Sequence, residues 1–464
     1  MSQTGLSRRA LLGRGAMLAG GLALGGGSLA ACGGSGSNAK SGSGGTTTLN
    51  VMIDGADVET GEPALLAAWE KANDCKVVVS KFNQVKLNAA LAAGNPPDLV
   101  RTTGAAEMPN LIARGLVQNL DAYFAQSTAF KAADLDPIIG VYKFDGKVQG
   151  QGSIYGIPSD YSQDAMIWYR KSLLEAAGVA LPSGTEPLSY DELLDMGTKL
   201  TKRSGGKTQV YGFDPSWNFV NQPHLVQMIA QQGGSLWNSD FTAADFTSPE
   251  ARKALQWYVN WGKARTGIGP LDSESNWNGP VYDANRIAMV SYGYWFNAEI
   301  NGPDAGSTAD GVKLIEDSGF APAPQMGQTR VDSCMTGSGA WIPAKAANKD
   351  LAFKFLEFWR GAGSQNAINH FKAGGGLPLC KSLRSYIPQT AAYDAEHWKV
   401  QEANLPYLTV LRFSPYANNA AMETAITTAI EPVIKGQASL DAAVANLQTQ
   451  VNQIVATGKA QIGG

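Results

Sequence analysis

The segment from Leu49 to Val100 limits the fold more than any other part of this chain. Leu49-Asn50-Val51-Met52-Ile53 is a short apolar strand, and Pro63 to Asn73 follows with Leu65, Ala68, Trp69 and Ala72 on one helical stripe. Lys76-Val77-Val78-Val79 is a β-branched run. Val85 to Ala93 is a second helix, closed by Gly94 and Pro96, and Asp98-Leu99-Val100 is a third strand. Alternating strands and helices of this length make βαβ units, so an α/β fold with a mainly parallel sheet covered by helices is expected. Ligands of such sheets lie beyond the carboxyl ends of the strands. That draws attention to Asp54-Gly55 and Arg101-Thr102-Thr103.

After Asp160 the pattern becomes helix-rich. Ser189-Tyr190-Asp191-Glu192 reads as a capping box opening a helix to about Lys202. Ser248-Pro249-Glu250 starts another, with Pro at the favoured first position and Leu255, Tyr258 and Val259 along it. Leu351 to Trp359 is a third. A last helix from Ser439 carries Leu440, Val444, Leu447, Val451 and Ile454 as a packed stripe.

The N-terminus reads differently. Arg8-Arg9, with Arg14, precedes a weakly apolar, Gly-rich run from Ala16 to Ala31 that closes on Leu29-Ala30-Ala31-Cys32. Basic head, apolar middle and small residues at the cut are the order of a secretory signal over residues 1–31. The paired arginines resemble a twin-arginine export signal. Leu-Ala-Ala-Cys resembles a bacterial lipobox, which would place a lipid on Cys32; an uncleaved anchor or an ordinary cleavage site is the alternative. Residues 32–47 then form a flexible Gly/Ser tether, whose thirteen-residue core from Gly33 to Gly45 has a typical reach of roughly 20 Å.

From Cys32 onward 433 residues remain, more than one hydrophobic core usually organises, so two lobes are expected. Losing Arg8, Arg9 and Arg14 takes the formal charge from −3 to −6, which leaves no basic patch for nucleic acid. Cys75, Cys334 and Cys380 allow one bridge after export. Cys334–Cys380 is the expected pair, with buried free thiols as the alternative.

Catalytic patterns are missing. His224, His370 and His397 lie far apart, and there is no zinc His-Glu-x-x-His, nucleophile elbow or phosphate loop. No metal, cofactor or catalytic residue is expected. The tryptophans are more informative. Trp257 and Trp261, four apart on a helix, read as core, as do Trp69 and Trp359. Trp217, Trp277 and Trp295 lie in irregular, polar surroundings (Asp-Pro-Ser-Trp-Asn, Ser-Asn-Trp-Asn-Gly-Pro, Tyr-Gly-Tyr-Trp-Phe-Asn), and each reads either as core or as a ligand wall. A sugar ring stacks its C–H face on an indole and gives its hydroxyls to Asp, Asn and Arg, so together the three favour a polar, non-ionic ligand.

Several stretches in order resemble one family. They are Asn95-Pro96-Pro97-Asp98-Leu99-Val100; Tyr155-Gly156-Ile157-Pro158 followed by Met166 to Val179; Gln231-Gln232-Gly233-Gly234; and Arg286 to Val290 with Gly293-Tyr294-Trp295. Gly337 to Pro343 leading into Ala352 to Leu356, and Gly374-Gly375-Gly376-Leu377-Pro378, complete the set. Over residues 48–460 the chain resembles the large solute-binding lipoproteins of sugar ABC importers, the maltose-binding-protein-like group (family 1). The resemblance implies a two-lobed periplasmic-binding-protein fold of type II, each lobe a mixed sheet flanked by helices, closing by a hinge. It implies residues 48–158 and 302–345 as the N-terminal lobe, with 159–301 and 346–464 as the C-terminal lobe. Ligand contacts carried over by position are Asp54, Thr102, Thr103, Tyr161, Gln163, Asp164, Trp217, Asn218, Trp295, Arg412 and Tyr416, with Gly337 and Ser338 contributing backbone or hydroxyl contacts. Trp277 joins them from its polar setting. The implied partners are a neutral mono- or oligosaccharide, an ABC permease and, through Cys32, the outer face of the cell membrane; the protein would be monomeric. Arg101-Thr102-Thr103 replaces an aromatic and an acid of the maltose binders, so maltose is not implied. A non-sugar solute-binding protein and a secreted carbohydrate-active enzyme are the alternatives.

Overall fold

The opening βαβαβ segment forms three strands of a five-stranded sheet. The computed structural model describes residues 46–53, 62–102, 104–159, 161–215, 222–272, 274, 277–302, 305–333 and 339–463. Thr47–Ile53 pairs in parallel with Cys75–Lys81 on one side and Leu99–Thr102 on the other, in the register Val51↔Leu99. Gly339–Trp341 and Ile157–Pro158 extend the sheet antiparallel. The local chemistry explains the connections. Asn83 Oδ1 accepts from Lys86 N at 2.9 Å to open the Gln84–Ala93 helix, and Gly94 closes it in the left-handed region (φ 73°). Asp98, quoted above as part of a motif, is buried. Its carboxylate accepts from Asn50 N (2.8 Å) and Asn348 N (2.9 Å), tying this sheet to the start of the Lys349–Arg360 helix.

A second sheet has the order Ser318–Ala321, Ile167–Arg170, Ile287–Ser291, Lys207–Asp214, Lys202–Ser204. Only the Ile287–Ser291 and Lys207–Asp214 pair is parallel. Alternation splits its side chains between two cores: Ile167 and Tyr169 face the helices Tyr190–Leu200, Pro249–Ala264, Asn419–Ile434 and Leu440–Ile462, while Trp168 enters the other core with Phe320 and Phe296. Trp257 and Trp261 are buried as expected, their indole N–H groups donating to Tyr190 O (2.9 Å) and Phe213 O (3.1 Å).

Some pairings run across the expected lobe boundaries. Residues 302–345 are expected in the first lobe, and within them Ser318–Ala321 pairs antiparallel with Ile167–Arg170 in the second sheet. The buried Arg170–Asp317 ion pair, at 2.7 Å, holds that join, and Asp317 also caps Ser172 N at 2.9 Å. Residues 346–464 are expected in the second lobe, and within them the Lys349–Arg360 helix packs against residues of the opening segment. Phe355 meets Trp69 edge-on at 5.2 Å, and Phe353 stacks on Tyr123 at 5.0 Å. The Ala392–Asn404 helix is the first beyond 346 to join the second sheet, where the His397 ring meets Trp168 at 4.8 Å.

Cys380 also differs from expectation. It is a buried free thiol directed at Ala129 O (3.5 Å), not half of a bridge; Cys75 is likewise free and buried, and Cys334 lies outside the described residues. Among the described residues no helix is long and apolar enough to cross a membrane.

Candidate functional site

The candidate site lies where Ile287–Ser291 ends beside residues 161–166, which lead into the Ile167–Arg170 strand of the second sheet. A glycine decides how closely these parts approach. A Cβ on Gly293 would lie 2.1 Å from Ser162 Oγ and 2.9 Å from Asp164 Oδ1. With hydrogen there instead, the crossing segment lies against the strand end. Asp164, itself buried, then accepts from Ser162 Oγ (3.1 Å) and from the indole N–H of Trp295 (3.2 Å). This fixes a half-buried Trp295 at its nitrogen.

Around it the aromatic contacts are edge-on. Tyr292 meets Trp295 at 5.0 Å and 67°, Phe296 meets it at 5.6 Å and 80°, and Trp277 meets Tyr292 at 6.0 Å and 74°. T-shaped packing directs ring edges at faces, so these contacts restrict how the indole can turn. Trp277 is also half-buried and sits over Gly279, where a Cβ would fall 2.1 Å from its ring. Behind these rings lies a polar chain. Tyr292 Oη donates to Asn278 Oδ1, and Asn278 Nδ2 donates to Asp214 Oδ1 (2.6 Å) and Pro215 O (3.1 Å). Asp214 also accepts from Ile268 N. Burial pushes its carboxyl up to about 7, Asp272 adding to the rise and the two donors opposing it.

The sequence-derived residues divide accordingly. Asp164, Trp277 and Trp295 come together. Thr102 ends its strand beside Gly339, with Oγ1 buried and without a hydrogen-bond partner among the described residues. Gln163 is fully buried and structural. Its Nε2 donates to Asp332 Oδ2 (3.0 Å) and Asn404 O (2.8 Å), and its Oε1 accepts from Gln401 Nε2 (2.5 Å). Tyr161 is equally enclosed: its hydroxyl accepts from Arg384 Nη2 at 2.9 Å, and burial raises its pKa. Both side chains are buried here, with these polar groups engaged inside the protein. Arg412 is exposed, and Tyr416 lines a separate groove with Asn110, Arg114 and Gly458. Asp54, Thr103, Trp217, Asn218, Gly337 and Ser338 lie outside the described residues, as does Cys32.

Asn278, Tyr292 and Asp214 are not among the expected site residues, although each falls inside one of the three Trp motifs quoted above. Their polarity was visible; their mutual contacts, 14 and 64 residues apart, were not. The histidines offer no site chemistry. His224 sits between the hydroxyls of Tyr190 (2.6 Å) and Tyr258 (2.9 Å), and burial holds it down to about 4. Among the described residues no group of three His, Cys, Asp or Glu side chains could hold a metal ion.

Two α/β lobes joined by crossing segments are the architecture of the periplasmic binding proteins. The chain belongs to the bacterial extracellular solute-binding protein family, whose model matches residues 55–366. A mannitol-binding protein of Pseudomonas aeruginosa is 24% identical over 209 residues, 44% of each chain, so the match spans less than half of that relative's length. An ABC substrate-binding protein from Listeria monocytogenes in complex with cycloalternan has a TM-score of 0.72 at 19% identity, covering 88% of this chain and 99% of that one. A solute-binding protein from Agrobacterium vitis with bound D-mannitol has a TM-score of 0.67 at 22% identity, covering 89% and 99%.

Proposed function

We propose that this protein captures a neutral polyol or saccharide between its lobes and delivers it to the permease of an ABC importer. The observation carrying this reading is Trp295: half-buried, held at its nitrogen by Asp164 of the crossing segment, and packed edge-on by Tyr292 and Phe296. An indole so fixed offers a rigid apolar wall for C–H faces. The mannitol and cycloalternan named for its relatives fit that chemistry. The export signal and lipobox fit the same reading. Lipid on Cys32 and the tether to residue 47 would hold a monomeric receptor at the extracellular face of the membrane, within reach of the permease.

Tryptophan fluorescence and thermal shift against mannitol, tagatose, maltose and mannobiose test the ligand class. Saturable binding of at least one is expected, and Trp295→Ala should weaken it at least tenfold while the protein remains folded. Binding of a charged solute with no response to any sugar would defeat the reading. The tether is tested separately: Cys32→Ala should abolish lipid labelling and release the protein from the membrane.

A further inference from the structure

The geometry points to Asn278 as a positioning residue: with Asp214 and Tyr292 it forms a hydrogen-bonded relay that holds the Trp277–Tyr292–Trp295 wall in its binding geometry. This rests on the saccharide reading above and goes beyond it, because none of the three relay groups needs to touch ligand.

The argument starts from what an aromatic wall needs. Stacking is short-ranged, so a ring displaced by about an ångström loses much of its contact energy. Trp295 is fixed at its nitrogen by Asp164, and Phe296 packs edge-on against its ring. Tyr292 adds a constraint shared by both indoles, since its ring contacts Trp295 at 5.0 Å and Trp277 at 6.0 Å. Tyr292 is itself completely buried, and its hydroxyl donates to Asn278 Oδ1. Asn278, 3% exposed, can accept there only if its amide group points the other way. Asp214 Oδ1 at 2.6 Å and Pro215 O at 3.1 Å fix that direction by taking both amide hydrogens. Asp214 is in turn held by Ile268 N at the end of the Lys207–Asp214 strand. Orientation therefore passes from a strand end, through one amide, to a tyrosine and the two indoles it touches. Asn is the side chain that fits, because it alone presents one acceptor and two donors at this length without charge.

The test uses the full-length protein and its Asn278→Leu, Asn278→Asp and Tyr292→Phe variants. Sugar titration with mannitol, tagatose, maltose and mannobiose is paired with near-ultraviolet circular dichroism of the tryptophans. Asn278→Leu should weaken the sugar bound by the wild type at least tenfold and change the tryptophan bands of the free protein. Tyr292→Phe, which keeps the ring and removes only the donor, should weaken binding about threefold or more. Asn278→Asp can share one proton with Asp214 and still accept from Tyr292, so it should restore binding to within about threefold at pH 6 and lose it towards pH 9. A purely structural role would not produce that pH profile. Wild-type affinity and unchanged tryptophan bands in both Asn278→Leu and Tyr292→Phe would overturn the relay. If Asn278→Leu does not fold, Tyr292→Phe decides alone, by the same two readouts. Failure of the wild type to bind any of the four sugars would defeat the saccharide reading. The relay would then be judged by the tryptophan bands of the free variants.

Discussion

Gly293 shows how a single missing atom can set the geometry of a site. The crossing segment can approach the end of the Ile287–Ser291 strand only because nothing projects from this position. A methyl group would lie 2.1 Å from Ser162 Oγ and 2.4 Å from Ser162 Cβ. Gly293→Ala therefore has to push the segment outward, breaking the Trp295–Asp164 bond. Overpacking of this kind typically costs ~1–3 kcal/mol, and the expected outcome is a lower Tm together with at least tenfold weaker sugar binding. Thermal denaturation and fluorescence titration check both halves. At this scale the sequence was partly legible. The setting of Trp295 and Trp277 among turn and polar residues goes with their half-burial, whereas Trp257 and Trp261 on a helical stripe are buried. The internal partners of Gln163 and Tyr161 were not legible, because position in a motif cannot say which chain segment a polar group will meet. Gln163 meets partners 169, 238 and 241 residues away.

Elements whose signals are local were read well. The Ser189 capping box is complete in both directions, with Glu192 N donating to Ser189 Oγ at 3.1 Å and Ser189 N to Glu192 Oε2 at 2.7 Å. That helix stops at Leu200, two residues short of the expected end, because Thr201 turns into the Lys202–Ser204 strand. The C-terminal helix runs Leu440–Ile462, and Val444, Leu447 and Val451 are fully buried as the stripe required. Leu440 and Ile454 pack partly buried against the same core, and Val455 joins the buried face. The cap of this helix is Ser439, whose Oγ accepts from Ala442 N at 3.2 Å. Ser439→Ala should destabilise the protein by about 1 kcal/mol in a denaturant titration and leave ligand affinity unchanged, since the cap is remote from Trp295 in the chain and bonded only within its own turn. What could not be read was the return of Ser318–Ala321 to the second sheet. Its partner strand lies about 150 residues earlier, and a four-residue strand flanked by Pro and Asp carries no periodicity that names a partner.

The whole molecule carries an unusual set of buried titrating groups, which fixes how its stability should vary with pH. Burial raises Asp214, Asp283 and Asp332 from 3.8 to about 7 each, with neighbouring acids contributing. Burial lowers His224 and His397 from 6.5 to about 4, and it lowers His370 as well. The signs oppose. A carboxyl raised on folding contributes stability that is fully present below its unfolded value and is lost as pH rises through about 7. A histidine lowered on folding costs stability below about 6.5 and costs nothing above it. Between about pH 4 and 6.5 the two sets offset one another. Between about 6.5 and 7.5 only the aspartates still titrate, so stability should fall as pH rises through neutrality. The expected Tm profile is therefore shallow on the acid side, declines from about pH 6.5 to 7.5 and levels off above that. Asp283 isolates one contribution, because its Oδ1 is buried without a hydrogen-bond partner among the described residues and Glu299 lies nearby. Asp283→Asn removes the charge and sacrifices no bond at that oxygen. Its Tm should match the wild type near pH 4, exceed it increasingly up to pH 7, and keep that advantage at pH 8. A gain equal at pH 4.5 and pH 8 would show that Asp283 does not titrate in this window, and the neutral-pH decline would then belong to Asp214 and Asp332.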